Sequence, residues 1–142
     1  MPVYFESAEQ PSTQDLADLE KIYLDAPDWL ITPFTNAAEL IQQGLTHNTL
    51  VTARFNSRLL GAALLDKQAE RWLLSHLCVR ALTRNRGVAR RLVDEATRLA
   101  TEAGCVLQVN IPAEQPELIQ LASAKGLLIA VDNLLIVNQA TY

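Results

Sequence analysis

Five arginines surround a glycine in the stretch LCVRALTRNRGVARRL, residues Leu77–Leu92: Arg80, Arg84 and Arg86 precede Gly87, and Arg90 and Arg91 follow it. In a loop that ends at a helix N-terminus, these residue types suit the holding of a phosphate. The first N–H groups of a helix have no intrahelical acceptors, and the positive end of the helix dipole points the same way. Gly87 lets the backbone approach an anion with no Cβ in the path. Ala89 keeps the next exposed position small, and Val88 is free to turn into the core. Guanidinium groups at Arg84, Arg86, Arg90 and Arg91 add fixed charge and paired donors that match phosphate oxygens. The competing account is an ordinary strand–loop–helix connection with solvated arginines. A dinucleotide-binding fold is disfavoured, since no G-x-G-x-x-G follows a strand, and a Walker-type loop lacks its G-K-[ST].

The flanking elements must place this loop. An apolar strand, Arg71–Val79, leads in. A helix over Gly87–Ala103 leads out, with Val88, Leu92, Ala96, Leu99 and Ala103 on one face and Gly104 closing it. Upstream, Val3–Ser7 reads as a strand and Thr13–Leu24 as a helix capped by Ser12 or Thr13. Asp25–Pro33 reads as irregular, and Asn36–Leu45 as a helix capped by Thr35. Thr49–Phe55 and Leu59–Leu65 are strands joined by the turn Asn56-Ser57-Arg58. Downstream, Val106–Asn110 is a short strand, Pro116 opens a helix to Lys125, and Leu127–Val131 with Leu134–Asn138 reads as a closing hairpin. At 142 residues the chain is about one domain, taken here as residues 1–142.

The spacing Arg84-x-x-Gly87-x-Ala89, in this strand–loop–helix setting, resembles the R/Q-x-x-G-x-G/A pyrophosphate loop of the GNAT acetyltransferase superfamily. The resemblance implies a GNAT fold of the α/β (α+β) class, a mixed central sheet with helices on both faces. It also implies acetyl-CoA or coenzyme A as ligand; no metal is expected, since the sequence has no C-x-x-C or Cys/His cluster. In that family the strand before the loop and the next strand splay apart around the pantetheine. Leu77, Cys78 and Val79 would then meet pantetheine, and Thr83, Arg84, Asn85, Arg86, Gly87, Val88, Ala89 and Arg90 would hold the pyrophosphate.

Three blocks are similar to a narrower family: Asp15–Ile22 (DLADLEKI), Ala53–Leu60 (ARFNSRLL) and Leu77–Glu95 with its Thr-Arg-x-Arg-Gly-Val core. These resemble the PanZ/PanM-type proteins, acetyl-CoA-sensing GNAT-fold partners of the pantothenate-pathway aspartate decarboxylase. Such proteins promote maturation of that enzyme and restrain it when acetyl-CoA is abundant. The resemblance implies the same protein partner here, with Arg54 and Asn56 in the partner-binding block. Read without it, Asn56-Ser57 is a plain hairpin turn and Arg54 an exposed strand residue.

The alternative is an N-acetyltransferase acting on an unidentified amine. That chemistry needs groups tuned to take and give protons beside the thioester. Many GNAT enzymes carry a tyrosine four residues before a Gly-hydrophobic pair; here the pair is Gly126-Leu127 and the matching residue is Ala122. The strand Leu73–Val79 holds no carboxylate, which leaves His76 as its lone titratable candidate for a base. His47 lies in a polar loop. Trp29, between two prolines, reads as a surface anchor or a core plug.

Composition narrows the partners. A net charge of -4 argues against general nucleic-acid binding, although five of twelve basic residues fall within Arg80–Arg91. That pattern suits a small anion better than a polymer. Cys78 and Cys105 sit in apolar runs with no C-x-x-C or Cys/His cluster, so they read as buried free thiols. The N-terminus lacks the charged and apolar parts of a signal peptide, and no apolar run approaches the length of a membrane span, which points to the cytoplasm.

Overall fold

The computed structural model describes residues 3–24, 26–80 and 87–130. The elements are β1 (Tyr4–Ser7), α1 (Thr13–Leu24), α2 (Asp28–Ile31), α3 (Ala37–Thr46), β2 (Leu50–Phe55), β3 (Arg58–Lys67), β4 (Arg71–Val79), α4 (Val88–Glu102), β5 (Val106–Asn110), α5 (Pro116–Ala124) and β6 (Leu128–Ala130). The strands form one mixed sheet in the order β1-β2-β3-β4-β5-β6. Neighbours from β1 to β4 are antiparallel; short turns join β2 to β3 and β3 to β4, while α1, α2 and α3 lie between β1 and β2. The β4–β5 and β5–β6 pairs are parallel, so α4 and α5 serve as their crossovers.

Each face of the sheet carries its own core. Leu60, Leu65, Trp72, Leu74, Leu77 and Val79 pack with Val88, Leu92, Val93 and Ala96 of α4 and Leu118 and Ala122 of α5. Leu59, Ala62, Leu64 and Cys78 point the other way, to Leu19, Ile22 and Tyr23 of α1, Leu30 and Ile31 of α2, and Leu40 and Ile41 of α3. At Gly61 α4 packs tightly on the sheet: an added Cβ would lie 2.9 Å from Val88 Cγ1 and 3.3 Å from Leu92 Cδ1.

The helix starts follow their capping chemistry. Ser12 Oγ accepts the Asp15 N–H at 3.0 Å while Asp15 Oδ2 accepts the Ser12 N–H at 3.3 Å, a reciprocal box at the start of α1. At α3 the cap is Asn36 rather than Thr35. Asn36 Oδ1 accepts the Glu39 N–H at 2.9 Å, and Thr35 gives its own N–H to Glu39 Oε1. The segment read as irregular contains α2, opened by Pro27 at a helix-compatible φ of −69°. The closing strand appears as β6, parallel to β5, and the second arm expected over Leu134–Asn138 lies outside the described residues.

One irregularity governs the site. Ala62 faces Cys78 and Leu64 faces Ser75, so Ala63 alone spans His76 and Leu77. His76 is the extra residue of a β-bulge and takes φ +53°. Because strand side chains alternate with period two, the bulge shifts the phase. Trp72 and Leu74 face α4 before it, and Leu77 and Val79 face α4 after it.

Candidate ligand cleft

The β4–β5 pairing runs from Arg71↔Val106 to Leu74↔Val109 and then stops, although β4 continues to Val79. Into the gap opens a cleft of about 780 Å³. Leu77, Cys78 and Val79 line it from β4; Gly87, Val88, Ala89 and Arg90 close one end with the first turn of α4. Pro27, Trp29 and Leu30 form a second wall. Glu114, Gln115, Pro116, Glu117, Leu118 and Leu121, from the approach to α5 and its first turns, form the third.

The α4 end of the cleft has the geometry of an anion site. Gly87 is the N-cap at φ +83° with no side-chain cap on the helix, and a Cβ built there meets nothing within 4 Å. Its left-handed backbone suits glycine, and the space it leaves lies beside the first-turn N–H groups, which have no acceptor within the helix. Val88 is buried, Ala89 is half-buried and Arg90 is exposed. Arg91 belongs to the scaffold: its Nε donates to the Val3 carbonyl at 3.0 Å and its Nη1 to Glu95 Oε1 at 3.0 Å.

Seven of the residues expected to meet pantetheine or pyrophosphate therefore line one cleft: Leu77, Cys78, Val79, Gly87, Val88, Ala89 and Arg90. The other four, Thr83, Arg84, Asn85 and Arg86, lie outside the described residues. Cys78 is buried and its thiol donates to the Ile22 carbonyl at 3.3 Å. Cys105, expected to be buried, is only half covered, because it follows the Gly104 turn where β5 begins at the rim of the sheet.

His76 lies on the opposite side of the strand from α4. Its Nε2 is 2.9 Å from the Thr32 carbonyl and its Nδ1 2.9 Å from Ser75 Oγ. A carbonyl only accepts, so Nε2 carries the proton and Nδ1 accepts from the serine hydroxyl. Burial holds this imidazole's pKa below its ordinary value, only partly offset by the Thr32 bond. Tyr23 donates its hydroxyl to the His76 carbonyl at 2.8 Å, and burial pushes the phenol's pKa well up. Ala122 is fully buried in the α5 core, and Leu121 beside it is the residue that reaches the cleft.

The Arg54–Asn56 block sits at the same end of the sheet as α4's start. Strand β3 runs antiparallel to β4, so the β2–β3 turn lies where β4 finishes; the Arg80 N–H bonds the Leu60 carbonyl at 2.8 Å. Asn56 and Ser57 are exposed at φ +49° and +69°, a two-residue turn of the hairpin type. Arg54 is built into the fold. Its Nε donates to both Glu6 oxygens at 3.1 Å, its Nη2 to Asp15 Oδ2 at 3.0 Å, and its Nη1 to Asp15 Oδ1 and the Ser57 carbonyl, each at 3.1 Å. The arginine holds the Asp15 carboxyl below its ordinary pKa.

Sequence reading missed the second and third walls of the cleft. Pro27, Leu30, and the residues from 114 to 121 come from segments that only the fold brings to β4. The one local signal was Pro116, which starts α5 directly after β5 and so places that helix's first turn beside the gap.

A mixed sheet whose central parallel pair parts beside a helix N-terminus defines the class, the GNAT acetyltransferase fold. The same fold is seen in the ribosomal-protein-S18-alanine N-acetyltransferase from Escherichia coli (TM-score 0.69, 16% identity, 88% of this chain and 77% of that one). It is seen also in a GNAT family acetyltransferase from Elizabethkingia anophelis with acetyl-CoA bound (TM-score 0.60, 19% identity, 87% and 73%). Within that class the chain belongs to the PanZ family: residues 2–132 match its acetyltransferase (GNAT) domain. The PanD regulatory factor of Salmonella typhimurium (strain LT2) is 38% identical over 90 residues, which are 63% of this chain and 62% of that protein. The aligned part thus spans less than two thirds of that relative. Among the described residues no helix is long and apolar enough to cross a membrane.

Proposed function

We propose that this chain binds acetyl-CoA in the β4–β5 cleft and, so loaded, regulates aspartate decarboxylase (PanD). The observation that carries the reading is the placement of two features at one end of the sheet: the start of α4, suited to an anion, and the Asn56–Ser57 turn, braced by the ion-paired Arg54. From Ser57 to Gly61, which packs against Val88, is four strand residues, roughly 13 Å. A protein seated on the turn would therefore lie within reach of the ligand, and a direct favourable contact between them would make binding of each raise the affinity for the other.

The cleft fits the coenzyme. The open space at Gly87, the uncapped first turn of α4 and Arg90 suit a pyrophosphate, with Thr83, Arg84, Asn85 and Arg86 completing the loop on the family pattern. Leu77, Cys78 and Val79, along β4 beyond its pairing with β5, suit the pantetheine arm. Arg54 and Asn56 serve the partner in different ways. Asn56 is exposed for contact, and Arg54 fixes the turn that presents it. The relative named as a PanD regulatory factor supports the identity of the partner.

The test is binding of PanD to this chain with and without acetyl-CoA, by calorimetry or pulldown. PanD should be retained only with acetyl-CoA or coenzyme A present, and Asn56→Ala should lose PanD while keeping the ligand. Equal PanD binding in the presence and absence of ligand would remove the regulatory reading.

A further inference from the structure

His76 joins two parts of the cleft that the sequence holds far apart. On one side its own backbone makes the bulge that turns Leu77 and Val79 toward α4. On the other its ring reaches α2: Nε2 donates to the carbonyl of Thr32, the residue that ends that helix, and the ring meets Phe34 edge-on at 5.2 Å. Helix α2 is a single turn of four residues with no side-chain cap at its start, too short to be stable alone; Leu30 and Ile31 seat it in the core, and the bond from His76 fixes its end. The helix carries Trp29 and Leu30, which face Leu77–Val79 across the cleft.

We propose that His76 is a positioning residue for the cleft: its ring clamps α2 to β4 and so sets the distance between Trp29 and the strand along which the ligand arm lies. The proposal rests on the acetyl-CoA reading of the cleft. It differs from a role as general base. A base needs a nitrogen lone pair facing the substrate, whereas Nδ1 is taken by Ser75, Nε2 carries the proton bound to Thr32, and the ring does not line the cleft. The geometry instead makes the neutral ring a two-ended strut between a strand bulge and a helix end. The Tyr23 hydroxyl on the His76 carbonyl fixes the strut's base.

The clamp acts on the apolar arm of the ligand and leaves the α4 end untouched, and that separates it from a general loss of structure. Two variants test it. His76→Asn keeps a residue tolerant of the left-handed backbone but is too short to reach Thr32; His76→Gln restores a donor at about the Nε2 position. Acetyl-CoA affinity should fall about tenfold in His76→Asn, the scale of a misplaced wall, and largely recover in His76→Gln. Affinity for adenosine 3′,5′-bisphosphate, which lacks the pantetheine arm, should stay within about twofold in both. In ligand-free protein, amide hydrogen exchange over residues 30–32 should accelerate in His76→Asn and slow again in His76→Gln. Unchanged exchange there, or equal losses for the two nucleotides, would overturn the proposal. A wild-type protein that binds neither nucleotide would remove the acetyl-CoA reading alone, with the exchange result still deciding the clamp.

Discussion

The fully buried carboxylate of Asp18 receives Arg58 Nη2 at 2.6 Å from forty residues away, and its second oxygen takes the Leu59 N–H at 3.1 Å. This one contact ties the middle of α1 to the first residues of β3 and so anchors the hairpin from below.

Stability should follow the protonation of that carboxylate. Arg58 holds the Asp18 pKa below its ordinary 3.8, and Arg54 does the same for Asp15. Between the folded and unfolded values the unfolded chain binds more protons, so stability is present above about pH 4 and is lost as pH falls through the depressed values. Thermal melts across the acid range should show this slope, and Asp18→Asn should flatten it. Asp18→Ala should cost about 1–3 kcal/mol by stranding the Leu59 N–H.

His76 gives a second window at higher pH. Its folded pKa lies below the ordinary 6.5, so the unfolded chain takes up the proton first as acid is added. Stability should therefore decline as pH falls below about 6.5, and His76→Gln should be flat over that interval. Melts of wild type and variant between pH 7 and pH 5, run side by side, check the sign.

Gly87→Asp should abolish acetyl-CoA binding. The left-handed backbone strains any β-carbon, and the new carboxylate would repel a pyrophosphate at the start of α4. Calorimetry showing parental affinity in this variant would move the anion site elsewhere.

Gly61→Ala should weaken both the fold and the ligand site. The added methyl would crowd Val88 at 2.9 Å and the Cys78 carbonyl at 3.4 Å, so the first turn of α4 must lift from the sheet. Overpacking of this kind costs about 1–3 kcal/mol. Denaturant melts and acetyl-CoA titration should fall together, because Val88 belongs to the same turn as the amides proposed to hold the pyrophosphate.

Arg54→Lys should lose PanD almost as fully as Arg54→Ala, with acetyl-CoA affinity unchanged in both. An ammonium cannot reproduce the forked bonds to Asp15 and Glu6 while also reaching the Ser57 carbonyl. If lysine restores PanD binding, the charge itself meets the partner and the turn needs no such brace.

Contiguous motifs were the legible part of this protein. Arg71–Val79 followed by Gly87–Ala89 announced the strand and the start of α4, because each is set by neighbours in sequence. The Asn56 turn was readable too, since asparagine tolerates positive φ. The bulge was hidden: in WLLSHLCV every residue fits a buried strand, and only the register against Ala62 and Leu64 shows that His76 is the extra one. The ion pairs were hidden for a different reason. Asp15 and Asp18 sit one turn apart on α1, but their partners Arg54 and Arg58 are 39 and 40 residues away and could be matched only once the hairpin lay across the helix.

Four registered pairs, from Arg71 to Leu74, are all that join β4 to β5, while β3 runs against β4 almost to its end. The hydrogen-bonded seam between β1–β4 and β5–β6 is thus short, and the shared core under α4 holds the two parts together along the rest of their length. A guest seated in the cleft would touch β4, the start of α4 and the first turns of α5, and so span that seam. If that guest is acetyl-CoA, saturation to a hundred times its Kd would add about 2.7 kcal/mol to the folded state. The approach to α5, which lines the cleft, would gain most of the protection, so the chain's resistance to proteolysis there would rise and fall with the coenzyme supply.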